Sequence, residues 1–484
     1  MASLQDIIKE RIKKIEGLRK LGIDPYPEKT DKDHNIKNIL DGFDVLVANN
    51  TKVCVAGRIM SIRGHGAILF AHIQDETGKI QFLLKQDQIG QEKMDLFEHY
   101  FDLGDFIEIK GVVFQTNTGE KTILVDDFKI LCKALRPIPT EWFGLEDEEE
   151  KIRKRYLDLI LDKQTKKIFD LRIDLTKWIR EFLYNLDFKE VETPILQTVY
   201  GGALAEPFKT HLNALNMDLY LRIAPELYLK RLLIGGYEKI FEMAKCFRNE
   251  GIDKDHNPEF INLELYWAFA SRDELMDMLE KLIIFLNSKL QEQSIWGNIQ
   301  VPFPKIVFRD FIKTKTGLDC DSDSLDKFQE YLQKNNIEFE QQSSRAKLAD
   351  LIFKQFRGEI KNPTFVIDQP LELSPLAKQK PDDLQHVLRF YLIMNGKEVC
   401  NGFSELNDAM EQKRRFEEQS KMLQKGDKEA HPLDLDFVEA LEYGMPPAGG
   451  LGIGIDRLIS VLLGVNSIKE VLFFPFVRQN PKNI

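Results

Sequence analysis

Phe241-Glu242-Met243-Ala244-Lys245-Cys246-Phe247-Arg248-Asn249-Glu250 begins as an apolar β-type run and ends in charge. A polar loop with Lys254, Asp255 and His256 follows, then Pro258-Glu259-Phe260 and a second run, Leu263-Glu264-Leu265-Tyr266. The pattern reads as strand, loop, strand, with Arg248 leaving the first strand and Glu264 inside the second. Charge within an apolar strand is costly to bury without a partner, so these residues point to a binding pocket. Arginine offers planar two-point contact to phosphate oxygens, and an aromatic such as Phe260 can stack on a purine.

Three further clusters repeat the theme. Gly201-Gly202-Ala203 precedes Leu221-Arg222-Ile223-Ala224-Pro225-Glu226. A glycine pair allows close backbone approach to a ligand, although alone it is more often a turn. Gly396-Lys397-Glu398-Val399-Cys400-Asn401-Gly402-Phe403-Ser404-Glu405 sets two glutamates in a Phe/Val/Cys/Gly run, and whether they share a face depends on the bend at Gly402. Pro446-Pro447-Ala448-Gly449-Gly450-Leu451-Gly452-Ile453-Gly454-Ile455-Asp456-Arg457 leads into an apolar helix, Leu458–Leu463. It carries neither the P-loop pattern nor a dinucleotide fingerprint with an acid ~20 residues on. Glycines before an arginine at a helix head suit a compact nucleotide packed against a strand.

Upstream, Val53–Ile62, Ile68–Ile73, Ile80–Leu84, Phe106–Phe114 and Thr122–Ile130 read as short strands. Turns at Glu76-Thr77-Gly78-Lys79 and Thr116-Asn117-Thr118-Gly119 punctuate them, and Gln91–Phe101 reads as a helix. Five strands with a helix after the third is the layout of an OB barrel, a fold that commonly binds single-stranded nucleic acid or sugars. An SH3-like barrel would give a similar pattern. Before it, Ile7, Ile8, Ile12, Ile15, Leu18 and Leu21 recur at helical spacing until Gly22, forming a helix that either packs on the body or faces RNA. After it, the acidic run Glu146–Glu150 reads as a solvated linker face. A long helix over Lys166–Leu186, a strand over Phe188–Leu196 closed by Pro194 and a helix over Arg272–Glu292 follow.

Composition bounds the function. With 484 residues, 43% apolar and 30% charged, the chain is an ordinary globular one of several domains, which excludes disorder and fibrous repeats. Apolar stretches such as Leu458–Val465 fall far short of the ~20 residues that cross a bilayer, and the charged start carries no secretory h-region. Five scattered cysteines without a CxxC pair fit reduced thiols in a cytosolic protein. The net charge of −11 hides a basic start: residues 1–22 hold six basic groups against three acidic ones. Charge alone therefore neither shows nor excludes a nucleic-acid partner.

Phe247-Arg248-Asn249-Glu250 and Gly452-Ile453-Gly454-Ile455-Asp456-Arg457 resemble motifs 2 and 3 of class II aminoacyl-tRNA synthetases, and Phe188–Pro194 resembles motif 1. Ala224-Pro225-Glu226-Leu227-Tyr228-Leu229-Lys230-Arg231 and Asn401-Gly402-Phe403-Ser404-Glu405-Leu406-Asn407-Asp408 are similar to the subclass IIb lysyl-tRNA synthetases. Nearly the whole chain takes part, including Leu21-Gly22-Ile23-Asp24-Pro25-Tyr26-Pro27.

The resemblance implies an α+β protein: an N-terminal OB-fold β-barrel, then a class II antiparallel-sheet catalytic domain with flanking helices. The expected layout is a helical extension over 1–45, the anticodon-binding barrel over 50–136, a linker over 137–165 and the catalytic domain over 166–484, with an insertion near 272–363. It implies a cytoplasmic lysine–tRNA ligase, a homodimer without a membrane partner, that uses ATP with Mg²⁺, L-lysine and tRNA(Lys). Arg248 would hold the α-phosphate and the substrate carboxylate; Arg457 and His256 would hold the γ-phosphate end. Phe260 would stack under adenine, sandwiched by Arg457, with Glu250, Asn257 and Gly454 alongside. Glu226 and Glu405 would grip the lysine ammonium with Tyr266, and Glu264 the α-amino group, while Gly202, Asn401 and Phe403 shape the pocket. In the barrel, Phe70 would stack on an anticodon base with Arg63, Gln81 and Glu120 as hydrogen-bonding partners; without the resemblance Phe70 reads as a core aromatic.

One position departs from the family pattern. Glu398 is the expected metal ligand, but Tyr391 stands where a second magnesium-binding carboxylate is usual, and phenol is a poor ligand for a hard cation. Two alternatives to the ligase follow from the same fold: an inert RNA-binding or regulatory protein, and a paralogue that charges lysine onto a protein. Intact Arg248, Glu264 and Arg457 argue against the first, and the barrel argues against the second.

Overall fold

The barrel strands form because their apolar residues alternate. β1 (Lys52–His65), β2 (Ile68–Gln74), β3 (Lys79–Lys85), β4 (Phe106–Gln115) and β5 (Lys121–Cys132) close in the order β1-β2-β3-β5-β4. The β3–β5 pair is parallel and the others antiparallel. Val53, Val55, Leu69, Ala71, Phe82, Ile107 and Ile123 fill the interior. The computed structural model describes residues 3–139, 148–341, 343–425, 430 and 432–477. Glu146 and Asp147 of the acidic stretch read as a linker face lie outside the described residues, and Glu148–Glu150 open a helix that runs to Arg153.

The chain divides into two units, 1–146 and 147–484. In the first, helix α1 (Leu4–Lys20) opens with a Ser3–Asp6 capping box. One face of this helix packs on the body: Ile15 and Leu18 are buried, and Arg11 donates to the carbonyls of Leu103, Ala134 and Arg136. Lys9, Lys13, Arg19 and Lys20 stay exposed on the rest of it. Helix α2 (Gln91–Tyr100) closes the barrel end, where Phe97 stacks on Phe101 at 5.0 Å.

In the second unit, helix α3 (Lys163–Tyr184) is capped by Asp162 and packs Leu175, Ile179 and Leu183 into the core. The sheet behind the site has eight strands in the order β9-β10-β11-β12-β13-β8-β7-β6. In chain order these are β6 (Lys189–Glu190), β7 (Lys239–Phe247), β8 (Glu259–Ala268), β9 (Lys305–Val307), β10 (Thr364–Ile367), β11 (Arg389–Met394), β12 (Lys397–Ser404) and β13 (Ala448–Gly454). Only the β6–β7 and β9–β10 pairs are parallel.

The strand expected over Phe188–Leu196 is not continuous. Lys189–Glu190 pairs with β7, and Leu196–Gln197 pairs with Met217–Leu221 in a separate three-stranded sheet. Pro194 lacks the N–H that a ladder needs, so the chain leaves one sheet before joining the other. Helix α4 (Glu226–Ile234) and helix α5 (Arg272–Leu290) flank the large sheet. Phe308, Phe311, Phe328 and Phe353 build a separate core around helix α6 (Arg345–Phe356), against which Tyr391 packs. Helix α7 (Ile455–Leu463) follows β13 directly.

Candidate functional site

Strands β8 and β13 make the floor of a cleft of about 380 Å³. Asn262, Glu264 and Tyr266 are two apart on β8, so they share one face. Their partners in register on β13 are Gly454, Gly452 and Gly450. Those glycines explain why there is a cleft. A Cβ at Gly450 would collide with Glu405 Oε1 and lie 2.5 Å from the Tyr266 ring; one at Gly452 would lie 3.0 Å from Asn262 Nδ2 and 3.1 Å from Glu264 Oε1. Gly202, at φ +88°, passes so close to Glu226 that a Cβ would meet its Cβ at 2.7 Å. Here the glycine requirement is steric as well as conformational.

Beneath this floor the structure shows a group that the sequence reading missed. Lys230, fully buried on α4, sets its ammonium 2.5 Å from Glu226 Oε1 and 2.5 Å from Glu405 Oε2. The two glutamates expected to wait for an external ammonium therefore already share an internal one. Glu226 and Lys230 are one helical turn apart, an i,i+4 spacing that could have signalled the pair. Lys230 neutralises one of two negative charges. Burial raises both carboxyls above their ordinary range, with Lys230 opposing the shift. Burial would lower the Lys230 ammonium, but Glu226 and Glu405 hold it above its ordinary range. Glu405 Oε1 has no hydrogen-bond partner among the described residues, so acceptor capacity remains at this spot.

Glu264 accepts from Asn262 Nδ2 at 2.7 Å and from the Tyr266 hydroxyl at 3.1 Å. The hydroxyl assigned to the ammonium pocket is thus engaged by Glu264. Burial, reinforced by the charge of Glu226, pushes the Glu264 carboxyl up to about 8. Asn401 accepts from Arg389 Nε at 2.8 Å, and the Phe403 ring centroid lies 5.4 Å from the Lys230 ammonium. Arg389, also unanticipated, lines the cleft and fixes the Leu373–Ser374 turn through Nη1.

The other end of the cleft gathers Arg248, Glu250, His256, Asn257, Phe260, Glu398, Gly454 and Arg457. The guanidinium over the Phe260 ring is that of Arg248, at 4.9 Å from the centroid. Arg457 donates to the Glu398 carbonyl at 2.7 Å and the Asp255 carbonyl at 3.4 Å, which ties α7 to β12. Asp456 beside it pairs with Arg172 of α3 at 2.6 Å. Asn257 spends its amide on the backbone, donating to Glu259 O at 2.6 Å and accepting from Phe476 N at 3.2 Å. Glu250 and His256 are exposed, the latter held by Asp253 at 2.9 Å. Arg248 Nε is buried with no partner among the described residues, a donor left over for an anion.

Glu398 and Glu405 do part company. Glu405 is buried under Gly450, whereas Glu398 faces the cleft beside Arg357 at 3.9 Å. Among the described residues no group of three or more His, Cys, Asp or Glu side chains could enclose a metal ion. A single carboxylate such as Glu398 still fits Mg²⁺ when phosphate oxygens supply the rest.

On the barrel, Phe70 is only partly buried, which rejects the core reading. Arg63 is its partner in register on β1, and Gln81 on β3 is the partner of His72. Phe70 and His72 share a face by strand periodicity, and His72 Nε2 lies 3.8 Å from Glu120 Oε1. Gln81 accepts from Thr122 Oγ1 at 2.8 Å. His72 is the unforeseen member of this patch, and the step of two from Phe70 was its signal.

A family model described as tRNA synthetases class II (D, K and N) matches residues 147–478, and one described as OB-fold nucleic acid binding domain matches 53–131. A lysine–tRNA ligase of Thermotoga maritima is 46% identical, covering 98% of this chain and 96% of that protein. One of Carboxydothermus hydrogenoformans is 46% identical, covering 98% of each. A lysine–tRNA ligase 2 of Methanosarcina acetivorans is 45% identical, covering 97% of this chain and 94% of that protein.

Replacing Lys230 leaves two buried carboxylates facing each other. Lys230→Met should cost ~3–5 kcal/mol of stability at neutral pH, as expected when one partner of a buried pair is removed. Both carboxyls titrate above their unfolded value, so the folded state binds more protons and part of the loss should return as pH falls towards ~5. Denaturant titration at the two pH values checks this; an equal loss at both would reject the charge argument.

Proposed function

The chain belongs to the class II tRNA synthetases (D, K and N), and we infer that it is a lysine–tRNA ligase. It activates L-lysine with ATP to lysyl-adenylate and transfers the lysyl group to the 3′ end of tRNA(Lys). The observation that carries the choice of amino acid is the Glu226–Lys230–Glu405 cluster: one internal cation for two carboxylates, with Glu226 lining the cleft and Glu405 Oε1 without a hydrogen-bond partner among the described residues. A neutral side chain would leave that buried acceptor unsatisfied.

In the first step a lysine carboxylate oxygen attacks the α-phosphorus of ATP, and pyrophosphate leaves with the electron pair of the broken bond. The carboxylate is ionised at neutral pH, so no general base is needed and catalysis rests on positioning and charge. Arg248 would bind the α-phosphate and the carboxylate with the donor it has to spare. Phe260 would support the adenine, and Arg457 with His256 would take the γ-phosphate end. Glu250, Asn257 and Gly454 would shape the nucleotide side. Glu264 would receive the α-amino group, with Gly202, Tyr266, Asn401 and Phe403 bounding the side-chain pocket. Glu398 would hold a magnesium ion, which when bound neutralises phosphate charge. In the second step the terminal ribose hydroxyl attacks the adenylate carbonyl and AMP leaves; the adenylate phosphate can take the hydroxyl proton.

The barrel patch of Arg63, Phe70, Gln81 and Glu120 would read the anticodon, stacking on Phe70 being worth ~1–3 kcal/mol per base. A second copy of the chain would pair through the motif 1 region, where Ile173, Tyr184, Leu186, Ile195 and Leu196 are exposed. No helix among the described residues is long and apolar enough to cross a membrane, and translation places such an enzyme in the cytoplasm.

Pyrophosphate exchange into ATP should depend on lysine and on no other amino acid. Glu226→Gln should weaken lysine binding by ~2–4 kcal/mol while ATP affinity holds; a change in lysine affinity under about twofold would reject the ammonium pocket. Lysine binding should also release protons. Glu264 sits near 8, so at pH 7 it is mostly protonated and ionises when a cation arrives. Calorimetry in buffers of different ionisation enthalpy should show release at pH 7 that fades above about 8, and that falls in Glu264→Gln. Light scattering should give twice the 56.2 kDa chain mass; a monomer at micromolar concentration would reject the pairing.

A further inference from the structure

Beyond Glu398 the cleft wall is built from side chains that the activation chemistry above leaves unused. Asp350 and Lys354, one helical turn apart on α6, both line it, with the Lys354 ammonium 2.8 Å from Asp350 Oδ2. Arg357, just past the end of α6, reaches Glu398 Oε2 at 3.9 Å. Tyr391 packs its ring on Phe353 with centroids 6.1 Å apart, while Arg389 lies over it at 4.9 Å. Tyr391 therefore belongs to the aromatic core of the insertion, and it brings an aromatic ring where a second metal-binding carboxylate was expected.

The charge count at this end follows. Lys354, Arg357, Arg457 and Lys397 face three carboxylates, Asp350, Glu398 and Asp255, the last paired with Lys397 at 2.8 Å. Among the described residues a second divalent ion would find at this end a single carboxylate not already held in an ion pair at 2.8 Å, itself beside a guanidinium, and no third ligand. A polyanion would find the reverse. Half of the Lys354 side chain (52%) faces solvent at the cleft mouth, so its ammonium can turn from Asp350 to a ligand. Desolvation opposes its charge, but Asp350 and Glu398 hold the ammonium above its ordinary range.

We propose that Lys354, assisted by Arg357, is a side-chain cation that neutralises the departing β- and γ-phosphates in place of a second magnesium ion. The proposal rests on the nucleotide reading of the cleft. Lys354 is a point charge on a flexible stem, suited to phosphate contact without fixed direction. Asp350 positions it, as an i,i+4 partner that keeps the ammonium extended over the cleft wall.

The test uses the full chain and the analogue α,β-methylene-ATP, with AMP as the probe that lacks the β- and γ-phosphates. At fixed, subsaturating Mg²⁺, Lys354→Met should weaken analogue binding about tenfold, the size of one lost charged contact, and leave AMP binding unchanged. Electron paramagnetic resonance of the Mn²⁺ complex with the analogue should count one more bound ion in the Tyr391→Glu/Lys354→Met double variant than in the wild type. An unchanged analogue affinity in Lys354→Met, an equal loss for AMP, or the same ion count in both proteins would overturn the proposal. Failure of the wild-type protein to bind either nucleotide would instead sink the nucleotide reading, and the proposal with it.

Discussion

Lys230 sits in the one place where desolvation would otherwise be hardest to offset, between Glu226 and Glu405 under the cleft floor. Three charged groups buried together are stable only because each faces an opposite charge at ion-pair distance. Two carboxylates share one ammonium, with the Arg389 guanidinium also acting on Glu226. Gly450 has no side chain, so Glu405 and the Tyr266 ring can both crowd the space a Cβ would take. Glu264, on the same face of β8 as Tyr266, is held near 8 by burial and by the charge of Glu226.

The end of the cleft proposed for the nucleotide is assembled differently, from backbone anchors more than from buried charge. Arg457 donates to two carbonyls, Asp456 pairs with Arg172, and Asn257 bonds only main-chain groups. These contacts leave Arg248 as the group with a spare donor, above an aromatic ring that can support a base. A rigid frame with one under-satisfied arginine is a sound arrangement for stabilising charge that appears only during reaction, since little reorganisation is then required. The wall formed by α6 extends the same economy outward, with side-chain cations where a second metal would need carboxylates.

The barrel illustrates how little a binding face needs to disturb a fold. Its interior residues are satisfied by packing alone. Arg63, Phe70, His72 and Gln81 follow from strand alternation and register on β1, β2 and β3. Phe70 escapes the core because its neighbours Leu69 and Ala71 point the other way.

Sequence by itself determined the strands of the barrel, the strand–loop–strand around Arg248 and the family, because periodicity and motif order are local and survive without coordinates. It also located most of the cleft residues, since a charge inside an apolar run is costly to keep unless a partner or a ligand meets it. Pairing across the chain was beyond it. Nothing in the order of residues said that Lys230 would lie between Glu226 and Glu405, that Arg248 would cover Phe260, or that Asn257 would be spent on Phe476. The broken strand near Pro194 and the packing of Tyr391 on Phe353 were settled in the same way, by which partner lay within reach. Glycines 450, 452 and 454 mark the division most clearly. The sequence shows that side chains are missing there, but only the register of β13 against β8 shows what fills the space they leave, because a hydrogen-bonded ladder fixes which residues stand opposite each other.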